Sequence, residues 1–306
     1  MDLSGLLNVL VFAGIFAGIY ALLALGLNLQ WGYTGLFNVG VGGFYAIGAY
    51  TSALLTAPPS PSHLGGLALP IPCGMLGAML VSGLCAAALG ALTLRLREDY
   101  LAIATISLAE TLRLVLKNEA WLTNGVQGLR DIPRPLVQVT AASYDLVYLG
   151  LVVLLVGLVY GSSQCLVKAP WGRVLRAIRE DELVAASLGK NVFRFKLQAL
   201  ILGAMGMGLG GSLYAHYVTF ISPDTFNPLM GTFLVWVMLM AGGSGNNRGA
   251  IAGAGLIWGL WSLSDVVTSL LPAPLDTRAS YLRVMLIALV LQSILVRRPQ
   301  GLLPER

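Results

Sequence analysis

Nine apolar segments, each about as long as a bilayer-spanning helix, dominate this sequence and restrict the folds open to it. Only 11% of the residues are charged, whereas soluble domains carry about 25%. Because lipid cannot satisfy free backbone groups, such runs predict helices; a β-barrel would show alternating segments of ~10 residues. We predict an all-α, polytopic transmembrane bundle of about 8–10 spans, forming a single domain over residues 1–306. The segments are roughly 5–27, 36–56, 74–94, 99–117, 144–163, 194–217, 228–245, 249–271 and 281–297.

Basic residues predict the orientation of these spans. The stretch 165–196 is the only long charge-dense segment, and it holds seven of the nineteen Lys and Arg residues. Placing it in the cytoplasm and alternating outward puts thirteen basic residues inside and five outside. The positive-inside rule then favours an N-terminus outside and a C-terminus in the cytoplasm. The first residues lack a basic region and a cleavage site, so we expect a retained first span rather than a signal peptide.

The sequence lacks the nucleotide-binding motif that a chain hydrolysing ATP by itself would need. The one Gly-Lys pair, Gly189-Lys190, is followed by Asn191 and does not fit a phosphate-binding loop. The cysteines are scattered, and His63 and His216 are far apart, which predicts neither a metal site nor a disulfide framework. We interpret His216 as a packed residue. The net charge of +5 reflects basic cytoplasmic loops and does not indicate nucleic-acid binding. We therefore expect no enzymatic activity, metal or cofactor in this chain.

Glycine and polar residues inside the apolar segments allow two interpretations. Small residues let helices approach closely in lipid, and this explains most of the 37 glycines. Some could instead break helices at mid-membrane and offer backbone groups to a polar solute. The best candidates lie in residues 28–43 and 242–247. They define a candidate translocation path of Asn28, Thr34, Gly35, Asn38, Gly42, Gly43, Gly242, Gly243 and Ser244.

Glu110 and Arg113 form a candidate intramembrane ion pair, because residues three apart share a helical face. Charges inside a membrane are rare and are usually paired. The pair is either structural or part of a proton or substrate relay. Asp265, near the outer end of its span, is a second carboxylate for the relay alternative, in which the chain would be a proton-coupled secondary carrier.

The stretch 171–191 predicts two cytoplasmic helices. Pro170 suits a first helical turn, and the spacing of Arg173, Arg176 and Arg179 predicts a basic stripe suited to anionic headgroups. A second helix at roughly 181–188 would be capped by Glu180 or Asp181 and would end at Gly189. This helix either lies on the inner leaflet or docks another protein.

Several stretches resemble the branched-chain amino-acid permeases of ABC importers, in particular their LivM-type subunits. These stretches are RLREDYLAIATISLAETLRLV (95–115), LTNGVQGLRDIPRP (122–135), WGRVLRAIREDELVAASLGKNVFRFKLQAL (171–200), FISPDTFNPL (220–229) and GGSGNNRGAIAGA (242–254). The resemblance implies a subunit of an ATP-driven importer in the bacterial inner membrane. It implies branched-chain or other hydrophobic amino acids as solutes, with urea, short amides or other small organic acids as alternatives.

The same resemblance implies partners and a role for the cytoplasmic loop. The partners would be a homologous LivH-like permease, two ABC ATPases that bind ATP and Mg, a periplasmic solute-binding protein and membrane lipid. Residues 180–189 would be the coupling helix, seated in a groove of one ATPase. The residues implied in coupling are Glu180, Asp181, Glu182, Leu183, Ala185, Ala186 and Gly189.

Overall fold

The computed structural model describes residues 3–60, 64–136, 144–268 and 273–305. His63 and the side chains of Asp265, Arg278 and Arg283 lie outside the described part. Within it the fold is helical, apart from one isolated bridge between Leu129 and Ile221. The helices are α1 (Leu3–Leu27), α2 (Val41–Thr56), α3 (Ile71–Thr93), α4 (Glu98–Asn118), α5 (Ala120–Thr123), α6 (Tyr144–Lys168), α7 (Pro170–Glu180), α8 (Glu182–Ser187), α9 (Val192–Val218), α10 (Leu234–Gly242), α11 (Asn247–Thr268) and α12 (Ala273–Arg297).

Each of the nine predicted apolar segments coincides with a helix, which confirms the helical membrane bundle. By length and composition, four described helical stretches can cross a membrane: Leu7–Gly32, α3, α6 and α9. A π-helical turn (Leu229–Phe233) leads into α10, and this stretch meets α11 at a bend of 119°, as a broken span or a re-entrant loop does. The predicted count of eight to ten also included α2, which has only 16 residues, and α4, which carries several charges.

Close glycine contacts hold the centre of the bundle together. Helix α9 packs against α1, α2 and α3. A Cβ added at Gly203 would lie 2.6 Å from the carbonyl oxygen of Gly26, and one added at Gly48 would overlap the backbone of Gly208. Van der Waals contact drives helix association in lipid, so these glycines bring the helices close enough for it. The tight-packing interpretation is confirmed for these positions.

Several charged contacts lie near opposite ends of α4 and α9, the helices that run between the two ends of the bundle. At one end, the Arg95 guanidinium lies over the ring of Phe193, and Arg179 pairs with Glu305. At the other end, Lys117 pairs with Asp224. We call these the α7 end and the Asp224 end. Arg95 and Arg179 were predicted to be cytoplasmic, and both lie at the α7 end. The predicted orientation therefore requires that the α7 end faces the cytoplasm.

Single cysteines test this orientation. In a variant without the three native cysteines, we expect Lys190→Cys to react with a membrane-impermeant maleimide only in inside-out vesicles. Val126→Cys, exposed at the Asp224 end, should react only in right-side-out vesicles. Detergent-solubilised protein, in which both sites should react, is the control. The reverse labelling pattern would contradict the predicted orientation.

Candidate functional site

Helices α7 and α8 pack together at one end of the bundle, and we call this pair of helices the α7–α8 lever. Pro170 is at the first position of α7, as predicted, and Leu175 and Ile178 anchor this helix through their buried side chains. Helix α8 follows after a single residue, Asp181. Ala185 is buried in a small cluster with Ile178 and Val192, which ties α8 to α7 and to the start of α9.

Local hydrogen bonds determine both ends of α8. One carboxylate oxygen of Asp181 accepts from the backbone N–H of Leu183 at 2.9 Å and of Val184 at 3.0 Å, so Asp181 is the N-cap. Gly189 has φ +77°, a left-handed conformation that favours glycine, and the Lys190 N–H then bonds to the Ala185 carbonyl. The predicted helix, its acidic cap and its glycine stop are confirmed.

The outer face of α8 is apolar and exposed. Leu183 is 80% exposed and Leu188 is 73% exposed, whereas Glu182 pairs with Lys196 of α9. Together with Val184, which is 55% exposed, the two leucines give this segment an apolar surface of the kind that contacts a protein or a membrane. The residues predicted to act in coupling are therefore split: Asp181 and Ala185 shape and anchor the helix, and Leu183 is exposed.

The basic stripe predicted along α7 is wrong at its last member. Arg173 is exposed, but Arg179 points into the protein, where Nη1 donates to the Gly32 carbonyl and Nη2 donates to Glu305 at 2.8 Å. Residues three apart drift around a helix, because one turn takes 3.6 residues. The drift brings Arg179 onto the face that packs against the bundle.

A helix break is present in residues 28–43, but it follows the end of the candidate span Leu7–Gly32, whereas the prediction placed it in the middle of a span. α1 ends in a π-helical turn (Asn28–Gly32), and the chain stays non-helical up to Val41. Asn28, Thr34 and Asn38 are fully buried, with hydrogen bonds inside the chain. Asn38 Nδ2 donates to Gln30 Oε1 at 2.8 Å, and the Asn38 carbonyl accepts from Trp236 Nε1 at 3.1 Å. These polar groups stabilise the break.

The second break differs in position from the mid-membrane site predicted for it. Gly242, Gly243 and Ser244 join α10 to α11 at the α7 end of the bundle. The Gly242 carbonyl accepts from the Leu303 N–H at 2.9 Å, and Gly243 packs against the backbone of residues 300–303. The carbonyls at the end of α10 have no partner within the helix, and backbone N–H groups of the C-terminal segment bond to them. The turn therefore packs against the C-terminal segment.

An apolar cleft of about 310 Å³ lies between α2, α3 and α4. Asn38 and Gly43 of the predicted path line it, together with Thr93, Thr105 and Thr111. The rest of its described lining is aliphatic, apart from Phe44 and Cys85, and includes no charged side chain. Gly42 packs instead against Thr232 of the π-helical turn before α10, and Gly35 packs against Arg179. The cleft thus brings together two of the nine predicted path residues.

Glu110 and Arg113 are in contact on α4. Arg113 Nε lies 3.0 Å from both carboxylate oxygens of Glu110, and Arg113 Nη1 lies 3.1 Å from Asp224. Lys117 also reaches Asp224, at 3.3 Å. The pair therefore belongs to a four-residue charge cluster that ties α4 to the loop after α9. The sequence analysis did not identify Asp224 as a member of this cluster, because Asp224 and Arg113 are 111 positions apart in the chain.

His216 is fully buried, as a packed residue should be. Its Nε2 lies 2.9 Å from Ser52 Oγ, and its Nδ1 lies 2.7 Å from the Pro133 carbonyl. Ser212 donates to Ser52 at 2.7 Å, which completes a buried polar chain between α2 and α9. Ser52 and Ser212 were not singled out from the sequence, although a hydroxyl inside an apolar run is a usable signal.

Residues 8–294 match the family described as branched-chain amino acid transport system / permease component. The chain is 35% identical to the high-affinity branched-chain amino acid transport system permease protein LivM of Escherichia coli strain K12, over 94% of this chain and 68% of that protein. It is 26% identical to the LivH permease of Salmonella typhimurium, over 95% of each chain.

A further relative is the guanosine ABC transporter permease protein NupQ of Bacillus subtilis, which is 27% identical over 89% of this chain and 86% of that protein. No solved structure is significantly similar to the chain. The match extends over almost the whole helical bundle, with the α7–α8 lever, the two helix breaks and the cleft inside it. The chain therefore belongs to the branched-chain amino acid transport permease family, the membrane-embedded component of ABC transporters.

Proposed function

We propose that this chain is the LivM-type member of a pair of permease subunits in a bacterial inner-membrane importer. A homologous LivH-like chain would be its partner, and the solute would cross between the two. The similarity of this chain to both LivM and LivH relatives supports a pair of related subunits. A periplasmic binding protein would deliver the solute.

We infer that α8 is the element moved by an ATPase subunit. The observation that carries this proposal is the exposure of Leu183 on α8 and of Leu188 at the C-cap of that helix, whose ends are both locally fixed. A capped, anchored helix moves as a rigid body, so a push on these leucines is transferred to α7. ATP and Mg would be bound by the ATPase subunits, which keep hydrolysis outside this chain.

The lining of the α2–α3–α4 cleft supports an amino acid with an aliphatic side chain as the solute. A volume of about 310 Å³ is near the lower end of ligand pockets, roughly 300–1,000 Å³. Its aliphatic walls suit a leucine-like side chain, which urea and short organic acids lack. The ammonium and carboxylate of the solute would need the polar lining residues Asn38, Thr93, Thr105 and Thr111. The relative that transports guanosine makes a nucleoside the second candidate.

Reconstitution tests the proposal. We expect the chain, with its LivH-like partner, two ATPases and binding protein in proteoliposomes, to take up leucine when ATP is supplied on the ATPase side. Valine and isoleucine should compete, and guanosine and urea should not. The chain alone, under a proton gradient, is the control for a secondary carrier. Uptake by the isolated chain, or uptake by the complex that does not need ATP, would contradict the importer.

A further inference from the structure

Arg179 connects the α7–α8 lever to the first helix break. It lies in the last turn of α7, two positions before Asp181, the N-cap of α8. Its Nη1 donates to the carbonyl of Gly32, the last residue of the π-helical turn that ends α1. Its Cγ lies 3.3 Å from where a Cβ on Gly35 would be, so the side chain fits directly against that turn.

The same guanidinium holds the C-terminal segment. Arg179 Nη2 donates to Glu305 at 2.8 Å, and both side chains are only about a quarter to a third exposed. The backbone next to Glu305 is bound in turn: the N–H groups of Leu302 and Leu303 donate to the Ala241 and Gly242 carbonyls at the end of α10. Residues 302–305 thus bridge α7 and α10.

A third set of contacts joins the two helix breaks. Asn28 Nδ2 donates to Asn247 Oδ1 at 2.8 Å, and Asn28 Oδ1 accepts from the Gly245 N–H at 2.8 Å. Asn246 Nδ2 donates to the carbonyls of Leu303 and Pro304, both at 3.2 Å. Asn28 and Asn247 are buried, so these bonds are costly to leave unmade. These bonds therefore join the end of α1, the α10–α11 turn and the C-terminal segment to one another.

We propose that Arg179 is a positioning residue that transmits the movement of α8 to both helix breaks, through Gly32 on one side and through Glu305 and residues 302–305 on the other. A charge-assisted bond to a carboxylate and a bond to a carbonyl, made by one planar guanidinium, fix direction as well as distance. The inference rests on the proposed function, because it requires that an ATPase moves α8.

The experiment measures solute taken up per ATP hydrolysed in the reconstituted complex. Arg179→Ala should lower this ratio about tenfold, a size typical of coupling between sites, while ATP hydrolysis and complex assembly persist. Glu305→Gln should give a smaller loss, because it removes only the charge of one of the two contacts of Arg179. The double variant should be no worse than Arg179→Ala alone, because Arg179→Ala already removes both contacts of the guanidinium. Arg173→Ala, on the exposed face of the same helix, is the matched control and should leave the ratio unchanged.

Arg179→Lys should give a ratio between wild type and Arg179→Ala, since one ammonium cannot satisfy both partners in the guanidinium geometry. If Arg179→Ala fails to assemble, Glu305→Gln carries the test, because it keeps the side-chain shape. A wild-type ratio in Glu305→Gln, additive losses in the double variant, or a parallel loss of hydrolysis and uptake would each overturn the inference. Absence of ATP-driven uptake by the wild-type complex would instead overturn the proposed function.

Discussion

Replacing Leu183 by Asp is expected to abolish ATP-driven uptake while the protein still inserts and folds. Leu183 is 80% exposed and makes no contribution to the core of this chain, so the change costs little stability. Burial of a leucine in a partner groove is worth roughly 1.5–3 kcal/mol, about ten- to two-hundredfold in affinity. An unpaired carboxylate at that position adds a desolvation penalty.

The measurement is uptake per reconstituted complex, together with binding of the ATPase to the detergent-purified chain. Leu183→Met is the matched control, because it preserves apolar volume and should preserve uptake. Leu188→Asp, at the C-cap of α8, should lower uptake as well, since Leu188 is 73% exposed. Wild-type uptake in a variant carrying both aspartates would rule out α8 as the docking element.

Replacing Gly48 by Ala is expected to destabilise the bundle by roughly 3 kcal/mol, the upper part of the range for overpacked cores. A Cβ at Gly48 would overlap the backbone of Gly208, which cannot move aside as a flexible side chain can. The α2–α9 contact would have to open. Lipid supplies no hydrophobic force to close it again, since packing is what holds such helices together.

Thermal unfolding of the isolated chain in detergent measures this effect. Gly157→Ala is the matched control: it lies inside α6, and an added Cβ meets nothing within 4 Å. The control should unfold at or slightly above the wild-type temperature, because alanine favours helix. Equal unfolding temperatures for Gly48→Ala and the wild type would contradict the close-packing role of Gly48.

Local signals predicted α8 well. Its cap, its length and its stop depend on bonds between residues two to five positions apart, so the residue types of the segment 181–190 are sufficient to specify them. The helices of the bundle were predictable for a similar reason: an apolar run in lipid must satisfy its own backbone. The boundary of α2 was predicted five residues too early, since buried side chains such as Asn38 hold the preceding residues in a non-helical conformation.

The candidate path was predictable only in part. Polar residues and glycines in residues 28–43 correctly indicated a helix break. They did not indicate that Asn28 would bond to Asn247, 219 positions away, or that Gln30 would bond to Asn38 and to the Leu200 carbonyl. A buried amide in an apolar run signals a polar partner but carries no information about which one.

The sequence alone determined that this chain is a helical membrane protein with a short capped helix at residues 182–187, because apolar runs and cap residues act within a single element. The tertiary structure decided which side chains meet: Arg179 with Glu305 and Gly32, Arg113 with Asp224, and Asn38 and Gly43 with the α2–α3–α4 cleft. Those pairings depend on how far apart whole helices lie and on how each is rotated about its axis. Contacts between glycines of different helices, such as Gly48 with Gly208, contribute to both, and such glycines are far apart in the chain.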